Sequence, residues 1–558
     1  MKYSFILLVL LALSSCKKQT YDVVIRGGTV YDGSGKPGMA TDVAINADTI
    51  AFIGDLSKAA GKTEVDAKGL AVAPGFVNMM SHAEKSLLMD GNSQSDIRQG
   101  ITLEVLGEGS MGPLNDRMKK DYTNEMKRSP DWTFDIDWTT LGQYLESLQR
   151  RGVSPNVASF VGANTIRIYE LGYANRAPSP EELERMKVLV REAMEEGAMG
   201  VTTALIYAPD NYATTEELIE LSKASAPYGG MYISHMRSEG NNIFGAVDET
   251  IRIAREASVS AEIYHLKMAG KDNWWKLDTI IAKIDHANKS GVHITANMYN
   301  YTAGATGLDA TMPPWVQEGG INDWIKRMKD PVIRKKVLKE MQAPTDKWEN
   351  MLRTAGGAEN VLILGFTKDS LKQFIGKTLA EVAKINGKSP EETAMDLVIA
   401  DSTRVDAAYF MMTEENIQRQ IALPYVSFGS DAGSPAAAGI FLKIKDHPRA
   451  YGNFARLLGK YVREEKVIPL EEAIRKLSSL PVANLKIKNR GLLTAGYFAD
   501  VVIFDPAKIE DHATFENPHQ YSTGMLHVFV NGQQVLKDGE HTGARPGRIV
   551  RGPGWKGK

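Results

Sequence analysis

The chain has 558 residues, with 66 lysines and arginines against 68 aspartates and glutamates, 43% hydrophobic and 24% charged residues. That length exceeds a single compact core and calls for a large domain with a smaller companion, while a formal net charge of -2 gives no reason to expect nucleic acid or an anionic membrane surface as partner. The single cysteine, Cys16, excludes an intrachain disulfide and a cysteine-rich metal site.

The chain opens with a basic start, the apolar run Phe5-Ile-Leu-Leu-Val-Leu-Leu-Ala-Leu13 and then Ser14-Ser15-Cys16. This is the pattern of an export signal, and the run is too short to cross a bilayer, which takes about 20 residues. Leu-Ser-Ser-Cys resembles a bacterial lipobox, so Cys16 is expected to be lipidated. Residues 1–20 then form a signal and tether, and the mature protein is anchored to a membrane of the cell envelope without spanning it.

Apolar runs broken by turn residues follow, in Tyr21-Asp-Val-Val-Ile-Arg-Gly-Gly-Thr-Val-Tyr31 and Asp42-Val-Ala-Ile-Asn-Ala-Asp-Thr-Ile-Ala-Phe-Ile-Gly54. The far end has the same style, with Val528-Phe-Val-Asn-Gly-Gln-Gln-Val535 reading as a hairpin through its Asn-Gly turn. Both ends are expected to build one small β-sandwich domain, from residues 21–72 and 485–556, around a central domain at 73–484.

The central domain alternates strand and helix, the rhythm of a (β/α)8 TIM barrel. Strands are expected at 75–82, 102–108, 157–163, 200–207, 231–237, 261–267, 294–300 and 426–431, and clear amphipathic helices at 181–196 and 278–290. The last gap, about 302–423, is far longer than one helix needs. With Pro313-Pro-Trp315 and a charged helical stretch over 324–341, it reads as an inserted lid.

Two of the strands carry a histidine near the C-terminal tip, His235 and His265. In such a barrel those tips form the catalytic face. Glu108, in Gly107-Glu-Gly-Ser110, and Asp431, in Gly429-Ser-Asp-Ala-Gly433, end two further strands at the same face. Two imidazoles and a carboxylate suffice to hold a catalytic zinc that keeps one position for water. Glu108, His235 and His265 therefore suit the ligand role, and Asp431 suits the group that moves a proton from the water to the leaving nitrogen. Lys267, two residues past His265, is placed to meet a substrate carboxylate. Met268 and the Trp274-Trp275 pair are candidates for an apolar acyl pocket.

The elements Val24-Ile-Arg-Gly-Gly-Thr-Val, Ala73-Pro-Gly-Phe, Ile233-Ser-His-Met-Arg-Ser-Glu-Gly, Gly429-Ser-Asp and Gly543-Ala-Arg-Pro-Gly-Arg548, in this order, resemble the amidohydrolase superfamily and, within it, the N-acyl-D-amino-acid deacylases. The resemblance spans about residues 21–556. It implies a metal-dependent barrel with a split β-sandwich and a mobile insertion, hydrolysing the N-acyl bond of a D-amino acid or of a dipeptide ending in one. It also implies that His235 and His265 bind zinc, that Asp431 is catalytic, and that Arg449 and Tyr299 receive the substrate's α-carboxylate.

Two departures stand out. Where the superfamily opens with His-X-His, this chain has Met80-Ser-His82, and a thioether is a poor ligand for such an ion. One zinc per chain is therefore expected, with His82 either a hydrogen-bonding neighbour of the ligands or a weak ligand itself. Where the family carries a cysteine, Glu108 stands one position away as its replacement. The competing readings are a hydantoinase- or dihydroorotase-like cyclic-amide hydrolase, which usually needs two metals, and a binding lipoprotein that kept the barrel and lost its chemistry.

Overall fold

Eight short strands, Phe76–Ser81, Ile101–Leu106, Asn156–Ser159, Gly200–Ala204, Met231–His235, Ala261–Ile263, Ile294–Met298 and Val426–Phe428, are buried at every residue. Parallel barrel strands are covered on both faces, and the polar residues within these find buried partners, as Asn78 Nδ2 does on Glu104 Oε2 (2.9 Å). The structure is a computed structural model that describes residues 19–129 and 131–557. Cys16 and the apolar run before it lie outside the described residues. Among the described residues no helix is long and apolar enough to cross a membrane.

The barrel strands pair in parallel in chain order, in one run of three and one of five, joined through the short strand Val161–Gly162. The ring closes where Asp431 N donates to Met80 O (3.0 Å) and His82 N to Ala432 O (2.9 Å). Inward-facing Val77, Met79, Leu103, Val105, Phe160 and Ile233 fill the centre, with Met80 fully buried beside them.

The helices at 181–196 and 278–290 are present as Pro180–Glu195 and Leu277–Lys289. The first starts on Ser179, whose side chain exchanges hydrogen bonds with Glu182 in a capping box. The stretch over 324–341 is two helices, Ile321–Lys329 and Pro331–Gln342, because Pro331 cannot continue a helix and Asp330 caps the second one. The insertion also holds an antiparallel sheet in the order Ala303–Gly307, Asp406–Phe410, Val361–Ile363, over an apolar core of its own.

The two ends of the chain share one nine-stranded sheet, in which Ala71–Pro74 pairs antiparallel with Val501–Phe504. A buried polar network ties it to the barrel. Arg490 pairs with Asp500 and donates to Asn531 Oδ1 (2.9 Å), and Asn531 Nδ2 donates to Asn156 Oδ1 (2.8 Å) on the third barrel strand. Removing one partner of a buried pair strands the other charge. Asp500→Ala is therefore expected to lower stability by about 3–5 kcal/mol in denaturant unfolding. A loss under about 1 kcal/mol, the size of an ordinary surface change, would mean the network does not couple sheet and barrel.

Candidate metal and substrate site

Glu108, His265 and Asp431 sit just past their strands, which end earlier than alternation suggests, while His235 is the last residue of its own. The second strand stops at Leu106, the sixth at Ile263 and the eighth at Phe428. Glu108, His265 and Asp431 all adopt positive φ, at 64°, 32° and 50°. Each such non-glycine conformation costs about 1–3 kcal/mol and persists only where the surroundings enforce it. Here they do: Glu108 N donates to Thr202 Oγ1 (3.1 Å), His265 N to Asn297 Oδ1 (2.8 Å), and Asp431 N to Met80 O (3.0 Å). Gly107 supplies the remaining condition, since a Cβ there would lie 1.8 Å from the Tyr264 hydroxyl. Lys267 is consequently not an alternate residue of a strand containing His265. It reaches the same face because the chain turns.

Two imidazoles meet on one oxygen. His235 Nδ1 lies 2.8 Å and His265 Nε2 3.1 Å from Glu108 Oε1, with the rings 4.4 Å apart and nearly perpendicular. On the other side His82 Nε2 is 3.6 Å from Glu108 Oε2 and 3.1 Å from Asp431 Oδ1. Two donor groups result, Glu108–His235–His265 and His82–Glu108–Asp431, with the donor atoms in each within 4.8 Å of one another and Glu108 common to both. Met80 offers nothing to either, being packed in the barrel interior.

Electrostatics follows from that crowding. Burial would raise the Glu108 and Asp431 carboxyls, but the facing cations prevail. Glu108 is held well below the usual range by the imidazoles, and Asp431 is brought down to about 2, chiefly by Arg449. Burial disfavours a charged His82, yet Asp431 and Glu108 lift it to about 9.

Arg449 is 4% exposed, with Nη1 2.7 Å from Asp431 Oδ2 and its guanidinium 4.5 Å over the Tyr299 ring. Its Nε and Nη1 make no well-formed hydrogen bond within the protein. His447 fixes its position, accepting from Arg449 N at Nδ1 (3.0 Å) and donating from Nε2 to Ala303 O (2.9 Å). Lys267 is less free: its Nζ donates to Glu239 Oε1 (2.6 Å) and lies against His265 Nδ1 at the same distance.

Glu239 is the site residue that sequence reasoning passed over. Its buried carboxylate lies 2.8 Å from His265 Nδ1 and 3.7 Å from His235 Nε2. The signal was its place four residues after His235, inside the same motif. The groups surround a cavity of about 470 Å³, whose farther wall is made by Tyr207, the run from Gly304 to Gly307, Met351, Arg404, Asp406 and Met411. Neither Met268 nor the Trp274-Trp275 pair lines it. Met268 is in the core, Trp274 Nε1 donates to Met411 O (3.0 Å), and Trp275 is 66% exposed. Met351 and Met411, from the insertion, supply the apolar surface instead.

A family described as the amidohydrolase family matches residues 63–536. Over 544 residues the chain is 33% identical to a D-aminoacylase of Alcaligenes xylosoxydans xylosoxydans, covering 96% of this chain and 99% of the relative. A solved D-aminoacylase, studied for a binuclear metal centre with one-metal activation and second-metal attenuation, superposes with a TM-score of 0.77 at 31% identity, over 95% of this chain and 100% of the other. The N-acyl-D-glutamate deacylase of Bordetella bronchiseptica, solved with zinc and a phosphonate inhibitor, gives 0.77 at 26% identity, over 96% and 100%. With the barrel, the split sheet and the converging donors, these likenesses establish that the chain belongs to the amidohydrolase family and, within it, groups with the D-aminoacylases.

Proposed function

We propose that this protein hydrolyses the amide bond of N-acyl-D-amino acids, including dipeptides that end in a D-residue. The observation that carries the reading is the convergence of Glu108, His235 and His265 beside Asp431, with an incompletely bonded guanidinium, Arg449, facing the same cavity. The D-aminoacylase and N-acyl-D-glutamate deacylase relatives support the substrate class.

The residues fit a zinc ion. Two buried imidazoles and a carboxylate are a donor set that zinc accepts, and their donor atoms already lie within 4.8 Å of one another. Glu108, His235 and His265 would hold one ion per chain. When bound there it supplies Lewis acidity to an amide carbonyl and acidity to a water. His82 then serves as a hydrogen-bonding neighbour of Asp431.

The protein's own groups account for the rest. A substrate carboxylate docks on Arg449 and against Tyr299, whose buried hydroxyl stays protonated. In doing so it takes over the guanidinium that now holds Asp431 as its counter-ion. Losing that partner raises the basicity of Asp431, so the carboxylate becomes an effective proton acceptor only when substrate is in place. The water oxygen adds to the carbonyl carbon, the carbon–nitrogen bond breaks, and the proton taken by Asp431 passes to the leaving amine. Glu239 orients His265 and neutralises Lys267. The cyclic-amide reading usually calls for a second metal, which Met80 does not help to hold, and the convergence of the donors tells against the binding-only reading. The export signal and the lipid at Cys16 belong to this proposal too, and rest on the sequence of residues 1–16.

Zinc-loaded protein should release free amino acid from N-acetyl-D-amino acids and not from their L-enantiomers. His265→Ala should lose both bound metal and activity, and metal analysis that finds no zinc in the parent would defeat the assignment. Arg449→Gln removes a charged hydrogen-bonding partner, so KM for the acyl amino acid should rise about 10–100-fold. Glu239→Gln alone strands Lys267. The double variant Glu239→Gln/Lys267→Met should recover about half or more of the stability that the single variant loses, and additive losses would refute the pairing. Expressed with its leader in a bacterial host, Cys16→Ser should move from the membrane fraction to the soluble fraction; an unchanged distribution would rule out the lipid.

A further inference from the structure

In the insertion's sheet Ala303–Gly307 is an edge strand, and Gly304 through Gly307 line the catalytic cavity. An edge strand of an antiparallel pair turns the N–H and C=O of every second residue away from its partner. The bonds at its two ends settle the phase. Met411 N donates to Thr302 O (3.2 Å) and Leu308 N to Val405 O (2.9 Å), so the even-numbered residues face the ladder and Ala303, Ala305 and Gly307 face out. Two outward carbonyls are satisfied within the protein, Ala303 O by His447 Nε2 (2.9 Å) and Gly307 O by the Tyr409 hydroxyl (3.0 Å). Between them the N–H and C=O of Ala305 have no hydrogen-bond partner among the described residues.

The strand is also bare. Its sequence is Ala-Gly-Ala-Thr-Gly, so no large side chain stands between its backbone and a ligand. At Gly304 a Cβ would press to 3.1 Å from the Tyr299 hydroxyl. It begins beside His447 and Tyr299, where Arg449 waits for the carboxylate, and its far end is pinned by Arg404, which donates to Thr306 Oγ1 (3.1 Å). A molecule anchored at Arg449 therefore has this edge along its side. A cavity of about 470 Å³ falls in the range of about 300–1,000 Å³ that encloses drug-sized ligands, more room than an acetyl group asks for.

We propose that the acyl group this site is built to receive is a peptide, whose extended backbone adds to Ala303–Gly307 as a further strand through the N–H and C=O of Ala305. Strand addition draws its affinity from main-chain hydrogen bonds and is indifferent to most side chains. A fatty acyl chain on the same path would cover both polar groups without bonding them, which is costly. This inference rests on the deacylase reading and specifies its acyl side: water adds to the carbonyl of the penultimate residue, and the products are a peptide shortened by one residue and the free D-amino acid.

The test compares N-acetyl-D-methionine with an L-Ala-L-Ala-D-methionine-type tripeptide, in the parent and in Ala305→Pro. Proline at an outward edge position removes only the outward N–H and is compatible with an edge strand. We expect the parent to favour the tripeptide in kcat/KM. In Ala305→Pro the tripeptide should lose about tenfold while the acetyl substrate stays within about twofold, its turnover reporting that the variant is folded. If the variant does not fold, the parent alone decides, with a tripeptide N-methylated at its internal amide losing the same factor. A parent that cleaves the acetyl substrate with no preference for the tripeptide, or equal losses on both substrates, overturns the strand-addition proposal and leaves the deacylase reading intact. A parent that cleaves neither overturns both.

Discussion

One carboxylate has to satisfy more partners than it has oxygens. Glu108 faces His235 and His265 through one oxygen and His82 through the other, and it is the only group common to both donor clusters among the described residues. A carboxylate so placed is strongly acidic because the imidazoles around it favour its charge over the penalty of burial. It also fixes where the rest of the site stands. The two histidines come from neighbouring strands, His82 and Asp431 from the seam where the barrel closes, and all of them are aimed at the same point past the strand ends.

Backbone strain explains how they reach that point. A strand presents alternate side chains to opposite faces, and a residue that must leave this pattern has to leave the strand. Glu108, His265 and Asp431 do so at positive φ, each stabilised by a side chain or carbonyl from another barrel strand. Strain of this kind gathers at working sites, where the fold over-determines it. The stiffness that results suits the proposed exchange, in which a substrate carboxylate would take Arg449 from Asp431 without either group moving far.

Much of this was legible in the sequence. Histidine at the ends of two consecutive apolar runs, a glycine-flanked glutamate and a Gly-Ser-Asp turn located the residues that converge, and hairpin chemistry at both ends anticipated the shared sheet. Four things were not legible, for physical reasons. Strand ends could not be read to the residue, because the hydrogen bond that holds His265 at positive φ comes from Asn297, a whole strand-and-helix unit away. Glu239 was hidden because a carboxylate beside an arginine and a glycine looks like solvated surface until Lys267 is brought against it. The apolar wall could not be assigned, since the tryptophan pair and Met351 with Met411 are equally apolar on paper, and only the packing of the insertion decides which faces the cavity. The strand Ala303–Gly307 was missed for a related reason. Its small residues carry little β-preference, and it is held as a strand by its pairing with Asp406–Phe410.

The seam between Ala71–Pro74 and Val501–Phe504, reinforced by Arg548 meeting Asp48 across 500 residues of chain, has a consequence for how the molecule comes into being. Its smaller domain cannot be sealed until Val501–Phe504 has been synthesised, so assembly is paced by long-range closure and not by local propensity. Until then the N-terminal strands present an open edge, the kind of surface that templates aggregation. That exposure lasts until Val501–Phe504 covers Ala71–Pro74, and the late strand acts as the latch that ends the period of risk.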